Sequence, residues 1–147
     1  MIFTIGYQRL APDRLSEIVN RLDALLVDVR AKPHSRKAGY GNKQIQARFG
    51  EAYIWQGRLL GGPGGGGQTT QDGINWLKAQ KRRTLLLMCL EEAPWDCHRH
   101  HLICGPHFPN AVHIHQGDMI FARDLTKYLA DDKAETYTVR PAHSFIG

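Results

Sequence analysis

Cysteine is scarce in this chain. There are three, Cys89, Cys97 and Cys104, in 147 residues. An odd and small number at this length argues against a secreted disulfide framework. No apolar run approaches the roughly 20 residues a membrane-spanning helix needs. The N-terminal "MIFTIGYQRL" has neither a basic start nor a small-residue cleavage site, so no signal peptide is read. A cytoplasmic protein without membrane attachment is expected. Internal repeats and linker-like shifts of composition are also missing, which predicts a single domain over residues 1–147 with one hydrophobic core.

Several signatures of known chemistry are absent as well. The glycine-rich "GGPGGGGQ" does not match the dinucleotide-binding G-x-G-x-x-G pattern, and it lacks the Lys-Ser/Thr ending of a Walker loop. On composition it reads as a flexible connection with the option of closing over a ligand. No C-x5-R occurs, which removes the phosphate loop of cysteine phosphatases. The cysteines fall as C-x7-C-x6-C, without the close pairs of zinc sites. No cofactor and no metal-ligand set is therefore predicted, and a structural zinc domain stays as an alternative. Nothing in the chain speaks to its oligomeric state.

What is present is a basic surplus, 19 Lys and Arg against 14 Asp and Glu for a net charge of +5. It is partly clustered in "RAKPHSRKAGYGNK" and "KAQKRR". That distribution favours an anionic partner, a phosphorylated small molecule or a nucleic acid.

Hydrophobic periodicity supplies the fold. "IFTIG" reads as a buried strand ending at Gly6, and Leu10, Leu15, Ile18, Val19 and Leu22 then recur at helical spacing with Pro12 in the first turn. "ALLVDVR", Ala24 to Arg30, is a continuous apolar run of the kind buried on both faces of a parallel sheet. Asn42 opens a short helix, Ala52 to Trp55 is a strand, Thr70 to Arg82 a helix, and Thr84 to Cys89 a second strong strand. "DCHRHHLIC" starts a helix with Asp96 as its cap, and Ala111 to His115 is a strand. Met119 to Leu129 reads as a helix and "TYTVRPAH" as strand or coil. Strands alternating with helices predict an α/β domain, three layers around a mainly parallel sheet.

In such sheets ligands bind beyond the carboxyl ends of the strands. Here those ends carry Gly6 and Tyr7, Asp28 and Arg30, and Cys89 and Glu91. Asp28 and Arg30, two apart in a strand, share a face and suit each other as an ion pair. Arg30, Arg36, Ser35 and Arg99 are anion-binding candidates. Glu91 and Asp28 are candidates for handling a proton. Cys97 and His98, at a helix start, are candidates for a thiolate and its acid/base partner, and Cys89, like Gly6 and Tyr7, is a candidate for ligand contact at its strand end. The expectation is a small enzyme acting on a phosphate-bearing substrate. Its alternatives are a non-catalytic nucleotide or nucleic-acid binding module and the zinc domain already mentioned.

Three stretches carry a family resemblance. Thr4, Ile5, Gly6 and Tyr7 match T-I-G-[HY]. Val27, Asp28, Val29, Arg30, Pro33, Ser35 and Arg36 match V-D-V-R-x-x-P-x-S-R. Cys89, Glu91, Cys97, His98 and Arg99 match C-x-E-x5-C-H-R. Together these resemble the DUF488 family, a domain of unknown function. The "GYGNK" and "LLGG" segments resemble further elements of it, while the longer glycine run is peculiar to this chain. The resemblance implies an α/β domain and names no reaction or substrate.

Overall fold

The structure, a computed structural model, describes residues 1–134. The stretch "TYTVRPAH" lies outside the described residues.

A six-stranded sheet is ordered β3-β2-β4-β1-β5-β6. Its members are β1 (Ile2–Gly6), β2 (Leu25–Asp28), β3 (Tyr53–Trp55), β4 (Leu85–Cys89), β5 (Val112–His115) and β6 (Asp118–Phe121). Every pairing is parallel except that of β5 with β6. Helices cover both faces and make three layers. On one side α1 (Pro12–Leu22) and α2 (Asn42–Phe49) place Leu15, Ile18, Val19 and Ile45 against Ile5, Leu26, Leu86 and Met88. On the other, α4 (Gln71–Ala79) and a π-helical turn (Arg99–Cys104) running into α5 (Gly105–His107) place Ile74, Leu77, Ile103 and Cys104 against Val27, Leu85 and Leu87. The short α3 is Gly57–Leu60, and α6 is Leu125–Ala134. β2 and β4 are buried along their whole length, which is why their sequences do not alternate.

Local chemistry fixes the helix ends. Pro12 sits in the first turn of α1, where its missing N–H costs nothing, and Asp23 ends the helix in the left-handed region at φ 48°. Thr70 caps α4 by accepting the Gly73 amide on its hydroxyl.

Three expectations are corrected. Met119–Leu129 is not one helix. Gln116 and Gly117 both take positive φ, 49° and 85°, which is the two-residue hairpin geometry, and the chain returns as β6 before α6 begins at Leu125. Asp96 does not cap the following helix. It ends a 3-10 turn (Pro94–Asp96), and the sulfur of Cys97 takes the cap's place by accepting the Arg99 amide at 3.5 Å. The glycine-rich segment has defined turns. Leu60 bridges to Thr69, the Gly67 amide donates to the Gly62 carbonyl, and Pro63–Gly65 form a 3-10 turn.

The topology selects one crevice. β1 and β4 are neighbours, yet the chain leaving β1 crosses by α1 on one face and the chain leaving β4 crosses by the π turn and α5 on the other. Connections that diverge from adjacent strands open a gap at their carboxyl ends. Gly6 and Cys89 are register partners at that gap.

Candidate functional site at the β1–β4 switch point

The ladder between β1 and β4 continues past both strands, with the Tyr7 amide donating to the Cys89 carbonyl and Gln8 to Leu90. Gly6 permits this approach, since a Cβ there would lie 1.7 Å from the Glu91 carbonyl oxygen. Tyr7 and the Glu91 loop are thereby held side by side.

Arg30 forms one wall. Its Nε donates to Asp28 Oδ1 at 2.9 Å and its Nη2 to Oδ2 at 2.7 Å, a bidentate pair. Nη1 donates to the Tyr40 carbonyl and the Tyr7 hydroxyl. One Nη2 hydrogen is left over from these contacts. Tyr7 stacks on Tyr40 with centroids 4.3 Å apart and lies under the guanidinium. Burial works to lower the Arg30 pKa, but the Asp28 hydrogen bonds and charge outweigh it and hold the group cationic. Asp28 is fully buried and also accepts the Tyr53 hydroxyl at 2.6 Å, so its oxygens serve Arg30 and Tyr53. The expectation that Asp28 handles a substrate proton is therefore corrected. It is a positioning residue behind Arg30.

Two sulfurs and a ring form the floor. His98 Nδ1 lies 3.8 Å from Cys97 Sγ and 3.9 Å from Cys89 Sγ, and all three atoms fall within 4.8 Å of one another. His98 Nε2 is 2.9 Å from the Leu60 carbonyl and 3.1 Å from that of Val29. Carbonyls only accept, so Nε2 carries a hydrogen and Nδ1 is the atom aimed at the sulfurs. The Cys97 thiol is pulled down, first by the hydrogen bond from Cys89, against burial, and then by His98 and Arg99. Cys89 is pushed up as the donor in that pair and by burial. His98 is raised because its Cys97 partner outweighs the opposing effect of burial. Glu91 is raised by burial and by the charge on Cys97, and its Oε2 is buried without a hydrogen-bond partner.

Arg99 adds its charge to the lowering of the Cys97 thiol, after Cys89 and His98. Its side chain is fully buried, with Nε donating to Thr4 Oγ1, Nη1 to the Glu91 carbonyl and Nη2 to the Glu92 carbonyl. No carboxylate forms an ion pair with it among the described residues. A buried cation surrounded by neutral acceptors favours an anion nearby, and the Cys97 thiolate supplies one. The expected role of Arg99 as an anion clamp is corrected, since its side chain is fully buried and does not line the pocket. Arg36 is exposed on the loop away from the pocket, and the Ser35 hydroxyl accepts the Lys37 amide, so neither lines the site.

The walls enclose a cavity of about 580 Å³ lined by Tyr7, Arg30, Cys89, Glu91, Cys97 and His98, a volume suited to a small ligand. The cavity is also lined by Lys32, which the sequence placed in a basic cluster, by Asp96, which it read as a helix cap, by the Gly62–Gly65 turn, and by His34, which it did not single out because it reads as an ordinary loop residue. His113 is fully buried, with its Nδ1 2.6 Å from Thr4 Oγ1 and its Nε2 2.9 Å from His100 Nδ1. Among the described residues no helix is long and apolar enough to cross a membrane. Comparisons with family models, curated proteins and solved structures return no match for this chain.

Proposed function

We propose that the chain is a small enzyme acting on a phosphate-bearing substrate, a nucleotide or nucleic-acid strand, in the pocket beyond β1, β2 and β4. The observation that carries this reading is the meeting of two chemically distinct sets of groups in one open cavity, Arg30, Lys32 and His34 on the one hand and Glu91 with the Cys97 sulfur on the other. The first set suits the anion: Arg30 keeps one N–H beyond its internal bonds, and the exposed Lys32 is a mobile point charge. The second set suits a proton. Glu91 has an oxygen without a hydrogen-bond partner, and burial and the Cys97 charge raise its pKa, which favours a carboxyl that takes up a proton.

The test is turnover on phosphate monoesters, nucleotides and short single strands, with Glu91→Gln and Lys32→Glu beside the natural chain. Glu91→Gln is expected to lower kcat by roughly 10²–10⁴-fold, the span of lost acid/base catalysis. Lys32→Glu is expected to raise KM and spare kcat. Ligand-induced thermal stabilisation without turnover on any member would replace the enzyme with a binding module. A flat response in both assays would remove the phosphate reading altogether.

A further inference from the structure

The three atoms on the pocket floor carry a second reading. We infer that Cys89 Sγ, Cys97 Sγ and His98 Nδ1 form a three-ligand site for a divalent cation of zinc type, with its fourth position open to the pocket. The inference deepens the proposed enzyme and rests on that reading only for what the metal would do there.

Geometry is the first argument. Zn–S bonds of about 2.3 Å and Zn–N bonds of about 2.0–2.1 Å at tetrahedral angles give S···N edges of about 3.6 Å. The observed edges are 3.9 and 3.8 Å. A ring nitrogen at near-equal distance from two sulfurs is the disposition of three donors around one common centre. The orientation of the ring is the second argument. Nε2–H is anchored by the Leu60 and Val29 carbonyls, the outer-shell arrangement that fixes a ligating imidazole and leaves Nδ1 free to coordinate. The third argument is room. Gly62 faces the same atom, and a Cβ there would stand 2.6 Å from His98 Nδ1. All three ligand residues line the cavity, from which a fourth ligand would be supplied.

Charge and chemistry agree. Two thiolates neutralise a dication, and a soft sulfur-rich donor set selects zinc over magnesium or calcium. Three protein ligands with an open fourth position is the pattern of catalytic rather than structural zinc. Glu91 lines the same cavity, its Oε2 without a hydrogen-bond partner, and would serve a water in that position. The water would give one proton to Glu91 as its oxygen bonds to phosphorus. The ester P–O bond would break, and Glu91 would return the proton to the leaving oxygen, so that one water is consumed per ester cleaved.

The experiment is zinc binding to the full chain after chelation and reduction, read by metal analysis and by competition with a chromophoric chelator. Cobalt(II) substitution adds a spectroscopic readout. One zinc per chain is expected, with a thiolate-to-cobalt absorption in the near ultraviolet. Cys89→Ser and Cys97→Ser should each weaken zinc by more than about 100-fold, beyond what losing an outer-shell partner costs. Sub-stoichiometric zinc, or binding indifferent to both serine variants, overturns the site. If a variant fails to fold, the cobalt spectrum of the natural chain decides alone: no thiolate band, no site. Zinc bound as expected without turnover on any phosphate ester keeps the metal and removes the enzyme. Full turnover in the metal-stripped chain does the reverse.

Discussion

At the scale of single residues, the site depends on side chains whose charges are arranged out of contact with solvent. Asp28 and Arg30 are the clearest pair, with 0% and 5% side-chain exposure. Removing one member of a buried ion pair strands the other, and the loss exceeds the net worth of the pair. Asp28→Asn keeps the shape and deletes the charge. It should cost about 3–5 kcal/mol, read as a lower urea midpoint at unchanged slope. Much of this residue-level picture was legible. Asp28 and Arg30 at a spacing of two announced their pairing, and the strand-end position of Cys89 and Glu91 announced the pocket. Arg99 misled because an arginine beside a reactive cysteine reads as a ligand contact. Its true partners are the backbone carbonyls of Glu91 and Glu92, which have no sequence signature. The convergence of Cys89, Cys97 and His98 was hidden for a similar reason. It depends on how the turn at Pro94–Asp96 folds back on the end of β4, not on a spacing that can be counted.

At the scale of elements, glycines mark where backbone meets backbone. Gly6 and Gly64 make a controlled comparison. A Cβ at Gly6 would fall inside the Glu91 carbonyl, whereas one at Gly64 meets nothing within 4 Å. Gly6→Ala must push the Glu91 loop away from β1 and should destabilise by roughly 1–3 kcal/mol or more, as overpacking does. Gly64→Ala should stay within about 0.5 kcal/mol of the natural chain. Thermal or urea unfolding of the two variants checks both. The strands were readable as elements because continuous apolar runs have few other uses in a chain of this size. β6 was not readable, because Met119–Leu129 also fits a helical period, and Gln-Gly is a less familiar hairpin signal than Asn-Gly.

At the scale of the molecule, burial of neutral histidines ties stability to pH. His113 is fully buried, and burial, with the Arg99 charge adding to it, lowers its pKa from 6.5 to about 3. In the unfolded chain it protonates below about 6.5. Between those values the unfolded state binds a proton the native state does not, so stability falls as the pH falls through the window. The contribution is on the order of 1.4 kcal/mol for each pH unit below 6.5, ending near 3. Urea unfolding at stepped pH should show this slope above that of the carboxylates, and His113→Gln should remove the difference.

The same buried arginine has a wider effect. Because Arg99 hangs from Thr4 in the central strand and grips two consecutive carbonyls of the rim, it ties the rim to the sheet from below. The rim's placement is a property of the whole sheet. A shift of the central strand is thereby felt at the mouth of the crevice.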